Sequence, residues 1–344
     1  MTIINALLPV FITLLIGYLA AWRHDEGGKT ATGLNKIVMT FTLPLSLFAG
    51  TVTISRQELM QNLPMMAALF VGLVVPFGVA YGIARYVFKR KLGESTLQAV
   101  AISFPAVPFI GLPVLGSIFG AQAATITVAI SGLATNLIIV PISIVLLTLA
   151  YENGEGQKAD PAPTASSSPA KGDSSRKAED RDDSRKQGQD KAKPSVGSII
   201  LSALEEPVVW APVLAVIFVF VGITVPKPLV TSLQLLGATT SGISLFASGI
   251  ILRAQTPTFS IPIAASTVGR LLVVPGLALV LLPLCGVVGQ ARSESVVALA
   301  MPCAVMLIIL SVRYHIAEKE NASVLLYSYI FSAASMALAV LLTR

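Results

Sequence analysis

Apolar runs of about 20 residues, each bounded by charged or turn-forming residues, recur along almost the whole chain. That is the length a helix needs to cross the roughly 30 Å hydrocarbon core of a bilayer. The pattern predicts ten such helices, over residues 3–22, 34–53, 63–88, 96–119, 122–150, 207–224, 230–252, 259–284, 294–312 and 321–343. Two of them are not uniform. The fourth contains Phe104-Pro105-Ala106-Val107-Pro108-Phe109-Ile110-Gly111-Leu112-Pro113, and the ninth contains Met301-Pro302-Cys303. A proline lacks an N–H and clashes with the preceding turn, so three this close cannot belong to one regular helix. Lipid cannot satisfy the carbonyls so released, and broken backbone at this depth is expected to be buried in protein or to line a cavity.

Between the fifth and sixth helices the pattern stops. Residues 151–194 are rich in Lys, Asp, Ser, Ala and Pro, with Ala165-Ser166-Ser167-Ser168-Pro169 and Asp180-Arg181-Asp182-Asp183-Ser184-Arg185-Lys186. Such a segment buries too little apolar surface to offset its ordering entropy and is expected to be a disordered linker. Residues 195–206 are expected to form a short interfacial helix leading into Pro207. The chain thus divides into a five-helix unit over 1–150, a linker over 151–197 and a second five-helix unit over 198–344.

The two units echo each other. Leu45-Ser46-Leu47-Phe48-Ala49 matches Ile243-Ser244-Leu245-Phe246-Ala247, and Val74-Val75-Pro76 matches Val273-Val274-Pro275. Ala101-Ile102-Ser103-Phe104-Pro105 matches Ala298-Leu299-Ala300-Met301-Pro302, so the offsets are 198, 199 and 197. An odd number of helices per unit inserts the second unit upside down relative to the first. The expected fold class is therefore an all-α polytopic membrane protein with a five-plus-five inverted repeat, the plan of many secondary transporters. Its broken fourth and ninth helices should cross near the midplane.

Composition agrees with a membrane protein and narrows its chemistry. Of 344 residues, 54% are hydrophobic and 12% charged, and the mean hydropathy is +0.78, far more apolar than a soluble domain. The net charge of +6 comes from basic residues that flank spans, which argues against a nucleic-acid surface. Arg23, Lys29, Arg85, Lys89, Arg90, Lys91, Arg253, Arg313 and Lys319 follow odd-numbered helices, whereas only Arg56, Lys227, Arg292 and Arg344 lie at the other ends. The richer side is expected to be cytoplasmic, with both termini outside and the linker inside the cell. Residues 1–22 lack a basic leader and read as a retained span, not a cleaved signal. Cys285 and Cys303 lie in apolar runs, and there is no HExxH or CxxC, so neither a disulfide framework nor a metal centre is expected. No nucleophile–base constellation suggests an enzyme, and no cofactor is implied.

Several motifs in order resemble the auxin efflux carrier family, whose bacterial branch includes malonate- and malate-type permeases. They run from Leu34-Asn35 and Pro44-Leu45-Ser46-Leu47-Phe48, through Gly111-Leu112-Pro113, Phe119-Gly120, Asn136 and Pro141, to the second unit. There Leu245-Phe246-Ala247-Ser248-Gly249, Arg270-Leu271, Pro275, Met301-Pro302 and Arg313-Tyr314 continue the likeness. The resemblance implies a scaffold part, a moving transport part, and a substrate site for organic anions where the fourth and ninth helices cross. It departs at Ala106, where many members carry an Asn thought to contact a carboxylate, and at Gly242, where a proline is common. That departure weakens an auxin-like substrate and leaves malonate or a similar mono- or dicarboxylate as the first reading. An aromatic-acid efflux carrier is the alternative, and a sensor acting through the linker is another.

The candidate substrate site comprises Pro105, Ala106, Val107, Pro108, Gly111, Asn136, Arg270, Pro302, Cys303 and Ala304. Half-helices starting near Ile110 and Cys303 would aim N–H groups and positive dipole ends at an anion. Arg270 lies roughly 16 Å into its span, and a charge at that depth needs a partner or water. It either neutralises a substrate carboxylate or caps carbonyls freed by a break. Pro76, Pro141 and Pro275 read as simple kinks, and Ser103, Thr135 and Ser311 either line the site or bond back to their own helices. Asn35 and Asn136 bond between helices or face the substrate. Arg313 and His315 are expected at the membrane interface. No Asp or Glu is expected inside a span, which argues against a sodium–proton exchanger. The expected partners are a small organic anion, the lipid bilayer of a bacterial inner membrane, a coupling proton or sodium ion, and a second copy in a homodimer. Deleting residues 155–193 separates the classes. A carrier keeps its flux in an uptake assay, and a linker-driven sensor loses its activity.

Overall fold

In the computed structural model, residues 2–23, 27–156, 207–254 and 257–343 are described, and they are helical almost throughout. Helix α1 is Thr2–Arg23. Helix α2 (Gly27–Ile37) runs through a π-helical turn (Val38–Thr42) into α3 (Leu43–Val52). After the short α4 (Arg56–Gln61), α5 (Leu63–Gly82) ends in a π turn (Ile83–Val87). Helices α6 (Leu92–Ser103) and α7 (Val107–Phe119) are the two parts of one interrupted rod. Helix α8 (Ala121–Ala134) passes through a π turn (Thr135–Ile139) into α9 (Val140–Glu152). The second half begins with α10 (Pro207–Val221) and α11 (Lys227–Ala254). Helix α12 (Ile261–Val268) joins α13 (Val274–Leu284) through a π turn (Gly269–Val273). Helices α14 (Gly289–Leu299) and α15 (Met306–Tyr314) form the second interrupted rod, and α16 (Glu318–Thr343) ends the chain.

Among the described residues, five helices are long and apolar enough to cross a membrane by length and composition: Leu63–Val87, Ala123–Glu152, Lys227–Arg253, Ile261–Leu284 and Glu318–Thr343. Helix α4 was not legible in the apolar pattern, being a short polar turn between two spans. The second expected helix begins at Gly27, not residue 34, because a polar first face continues the rod beyond the membrane-length apolar run.

The prolines do more than kink. Pro44, Pro141 and Pro275 each stand two residues after the end of a π turn. A proline ring clashes with the carbonyl four residues earlier, here that of Thr40, Leu137 or Leu271, and each lies inside the π turn. Widening that turn relieves the clash. The carbonyl of Leu271 then accepts a hydrogen bond from Ser335 Oγ at 2.5 Å, replacing the N–H that Pro275 lacks. Pro76 lies in α5 with no π turn before it, so Val74-Val75-Pro76 and Val273-Val274-Pro275 match as sequence but not as backbone.

The helices pack in two sets. Helices α1, α2–α3, α10 and α11 contact mainly one another. The other set is α5, α6–α7, α8–α9, α12–α13, α14–α15 and α16. Within the first set α1 and α11 approach so closely at two glycines that no Cβ fits there. A Cβ on Gly17 would overlap the carbonyl of Phe246, and one on Gly249 would overlap the carbonyl of Leu14.

One end of the second set is clasped by charge. Arg90 donates from Nη1 and Nη2 to the Glu320 carboxylate, both at 2.7 Å, and from Nε to Glu94 at 3.2 Å. It also reaches Gln98 at 2.9 Å, joining the start of α6 to the start of α16. The neighbouring Glu155 carboxylate accepts the Leu92 and Gly93 N–H groups at 3.1 and 2.7 Å, capping α6. Residues 151–156 of the expected linker therefore belong to the fold, with Tyr151 and Glu152 in α9. The rest of the linker and the expected interfacial helix at 195–206 lie outside the described residues. A deletion that tests the linker should start after Gly156.

The glycine contacts predict opposite signs for one substitution. Gly78 in α5 has open space where a Cβ would go, so Gly78→Ala should be neutral or stabilise by up to about 1 kcal/mol through helix propensity. Gly249→Ala should destabilise by about 1–3 kcal/mol or more through overpacking. Thermal unfolding of the two purified variants in detergent checks the contrast.

Candidate functional site

The two interruptions meet. Phe104 is pushed to extended backbone (φ −100°, ψ 97°) by the proline that follows it, and α7 restarts at Val107 with Pro108 in its first turn, where a missing N–H is tolerated. In the second rod α14 ends at Leu299, and α15 begins only at Met306. The intervening segments run antiparallel, with Pro105 opposite Cys303. Ala106 N–H donates to the Pro302 carbonyl at 2.8 Å, and Ala304 N–H donates to the Phe104 carbonyl at 2.9 Å. Pro105, Ala106, Pro302, Cys303 and Ala304 are all buried here.

Other backbone groups released by the breaks find side chains. Arg270, with no exposed surface, donates from Nη1 to the Ile102 carbonyl at 2.8 Å and from Nη2 to the Leu299 carbonyl. These carbonyls lie at the C-terminal ends of α6 and α14, so one guanidinium caps both half-helices. Of its two readings from the sequence, this is the capping one. Ser328 on α16 takes the Cys303 N–H at 3.3 Å and lies 3.1 Å from Cys303 Sγ. Ser335, already bonded to Leu271, lies 3.3 Å from the Ala300 carbonyl.

Two cavities lie between the two helix sets, each beside one of the interrupted rods. One, of about 560 Å³, is lined by Ser46, Gly50 and Thr51 of α3, by Pro108, by Val128 to Asn136, and by Gln234 to Ser241 of α11. No lining residue is charged. The other, of about 520 Å³, is lined by Thr32, Asn35, Lys36 and Met39, by Pro207, and by Ile309 to His315. The first lies toward the helix ends at Val52 and Lys227, the second toward those at Gly27 and Tyr314. The buried Asn35 Nδ2 has no hydrogen-bond partner, as a group awaiting a polar ligand would not.

Comparison with known proteins fits these features. A family model described as "Membrane transport protein" matches residues 2–340. The chain belongs to this family, that of the auxin efflux carriers. It is 29% identical over 327 residues to the proteins named "Uncharacterized transporter YfdV" of Escherichia coli K12 and of Shigella flexneri, covering 94% of this chain and 92% of each relative. The protein is a multi-pass membrane transporter.

In this auxin efflux carrier relative the sequence-selected residues divide into three groups. Five form the crossing itself, with Arg270 capping it. Pro108 and Asn136 line the larger cavity. Val107 is fully buried, and Gly111 packs against Val128, where a Cβ would come within 2.6 Å of the valine side chain. The half-helices begin at Val107 and Met306, not near Ile110 and Cys303. In the first rod Pro108 tolerates helix geometry, and in the second the crossing bonds hold the backbone extended to Ala304. Ser103 and Thr135 bond back to Ala99 and Ser131. Ser311 instead donates to the Ile316 carbonyl and accepts from Asn321. His315 bonds Glu318 at 3.1 Å.

One expectation is corrected. Glu294 is not at a helix start, because α14 begins five residues earlier, at Gly289. It is 6% exposed and accepts hydrogen bonds from Thr127 and Gln290 at 2.8 and 2.7 Å. Ser328 and Ser335 were missed, although Ser328, Ser332 and Ser335 are spaced to share one face of α16. Gln234 and Ser46, in the cavity wall, carried no distinguishing signal.

Arg270→Gln should strip the caps from two half-helices, at about 1–3 kcal/mol for each carbonyl left unsatisfied. The expected outcome is a lower melting temperature in detergent together with lost transport, with Arg270→Lys intermediate in both. Size-exclusion melting curves measured beside uptake check it.

Proposed function

We propose that the protein is a secondary transporter that moves a small organic anion, malonate or a similar mono- or dicarboxylate, by alternating access. The architecture in this reading is ten membrane helices in a five-plus-five inverted repeat. The observation that carries it is the pair of bonds at the crossing. A step of 198 residues takes donor Ala106 to donor Ala304 and acceptor Phe104 to acceptor Pro302, which exchanges one bond for the other. The sequence repeat has the same step, with offsets of 197 to 199. Helices α1, α2–α3, α10 and α11 serve as scaffold, and the second set rocks against them. The two cavities are then alternate approaches to the crossing. In this reading the smaller cavity opens on the cytoplasmic side of a bacterial inner membrane with both termini outside, a reading supported by the distribution of basic residues.

The organic-anion assignment draws on the family likeness and on the chemistry of the crossing, where two half-helix N-termini and one arginine meet without a carboxylate. A proton or sodium ion is the coupling ion in this reading. Counterflow in proteoliposomes tests the substrate class. Vesicles preloaded with malonate, malate, indole acetate or an amino acid are given the same compound labelled outside, and exchange is expected with malonate or malate. Exchange with indole acetate alone moves the protein to the aromatic-acid reading, and exchange with the amino acid alone defeats the organic-acid reading.

A further inference from the structure

On the outer face of the second helix set, α12 and α16 start at the same end of the molecule and leave an apolar groove of about 470 Å³ between them. Leu272, Phe331 and Leu338 stand exposed along its walls. At roughly 1.5 Å per residue, the helices rise about 14 Å from Ile263 to Leu272 and about 17 Å from Tyr327 to Leu338. Half of a roughly 30 Å hydrocarbon core is about 15 Å. The groove therefore has the length of the acyl chains in one leaflet.

A polar pocket adjoins this groove at Ile263, which lines both. Three consecutive residues set the boundary. Thr258, Phe259 and Ser260 are non-helical, with Ser260 extended (φ −150°, ψ 164°), and successive side chains of extended backbone point to opposite sides. Thr258 and Ser260 line the polar pocket, and Phe259 lines the groove. Thr258 N–H donates to Ser323 Oγ at 3.0 Å, and the Phe259 ring meets Tyr327 edge-on with centroids 6.1 Å apart. Aromatic residues between an apolar and a polar surface mark the headgroup level of a bilayer.

The polar pocket holds charge of both signs. Its four carboxylates are engaged: Glu94 and Glu320 with Arg90, Glu155 with the Leu92 and Gly93 N–H groups, and Glu318 with His315. Its two lysines, Lys91 and Lys319, are exposed and make no ion pair among the described residues. Two carboxylate oxygens, Glu94 Oε1 and Glu318 Oε2, likewise take no hydrogen bond among the described residues. With Arg90 included, three basic side chains face four carboxylates, so no surplus positive charge favours an anionic headgroup. Free ammonium groups beside free carboxylate oxygens complement a headgroup that carries both a phosphate and an ammonium. The phosphate meets the lysines, and a primary ammonium has three N–H donors for the carboxylates. A trimethylammonium has none.

We propose that groove and pocket form one binding site for a phospholipid with a primary-amine headgroup, phosphatidylethanolamine. An acyl chain lies between α12 and α16, and the headgroup lies among Lys91, Lys319, Glu94 and Glu318. The site is separate from the crossing and does not depend on which substrate is carried.

Native mass spectrometry of the full-length protein in detergent tests it, with phosphatidylethanolamine, phosphatidylcholine and phosphatidylglycerol of identical chains titrated in turn. Phosphatidylethanolamine is expected to bind about fivefold more tightly than either of the others, the scale of partly exposed charge contacts. The double variant Lys91→Gln/Lys319→Gln should weaken all three lipids by about fivefold, because all share the phosphate. Ala334→Phe, which places a ring in the groove from an exposed position, should abolish the tight binding. Soluble glycerophosphoethanolamine at equal concentration should displace nothing, since it lacks the chains. Equal binding of the three lipids overturns the proposal, as does a preference for phosphatidylglycerol. Displacement by the soluble headgroup also overturns it, because the groove then has no part. An Ala334→Phe protein that keeps its lipid binding but changes from dimer to monomer assigns the groove to a second copy of the chain and overturns it too. Melting temperatures are followed alongside, and if Ala334→Phe does not fold, the headgroup series and the lysine pair decide.

Discussion

Backbone polar groups that lose their helical partners inside lipid have nowhere to turn except to other parts of the protein. Much of this structure follows from that constraint. Pro105 and Pro302 each end a helix partway along its rod, and the two broken ends satisfy one another through the Ala106 and Ala304 hydrogen bonds. Two breaks are better than one here, because an extended segment can pair with a second extended segment, whereas it cannot pair with a regular helix. What the pairing leaves over is collected by side chains: Arg270 takes the ends of α6 and α14, Ser328 takes Cys303, and Ser335 takes Leu271. The arginine's burial makes sense only in these terms. A lone charge at that depth is costly, and bonding to two helix C-termini is among the few ways to hold it without a carboxylate.

The same constraint in milder form explains the π turns. Pro44, Pro141 and Pro275 disturb a helix without breaking it, and the preceding turn widens to accommodate the ring. Asn136 and Arg270 both lie within such turns, and Asn35 lies one turn before another. A π turn places its side chains out of register with a regular helix and is common at functional sites. At Gly242, 198 residues after Pro44, α11 runs on without a π turn. The residue type and the local geometry change together.

How much of this the sequence carried depends on the kind of information involved. The apolar spans, the proline breaks and the depth of Arg270 were legible because each is a property of residue type along one dimension. The partners of Arg270 were not, because they are backbone carbonyls, which every residue has. The start of α15 was misplaced because hydrogen bonds from another rod keep its first residues extended. Glu294 was misread because its helix begins in a polar stretch that an apolar pattern does not register. Glu155 looked like linker for the same reason, although its carboxylate caps α6. The three short matches between the halves were legible as a register. Their structural meaning needed the crossing, where a step of 198 exchanges two hydrogen bonds.

The distribution of tight and loose packing bears on how such a molecule would move. Both interrupted rods belong to the second helix set, so the bonds of the crossing, the Arg270 caps and the Arg90–Glu320 clasp all lie within that set. The first set has its own close seams, at Gly17 and Gly249 between α1 and α11, and at Gly237 against the backbone of Ser46. The two cavities beside the interrupted rods lie where the sets face each other. A displacement of one set against the other would therefore keep the crossing bonds intact and exchange contacts at the cavity walls, which is cheaper than unpairing buried backbone. The α3 and α11 residues that line the larger cavity are uncharged, whereas Lys36 of α2 lines the smaller one.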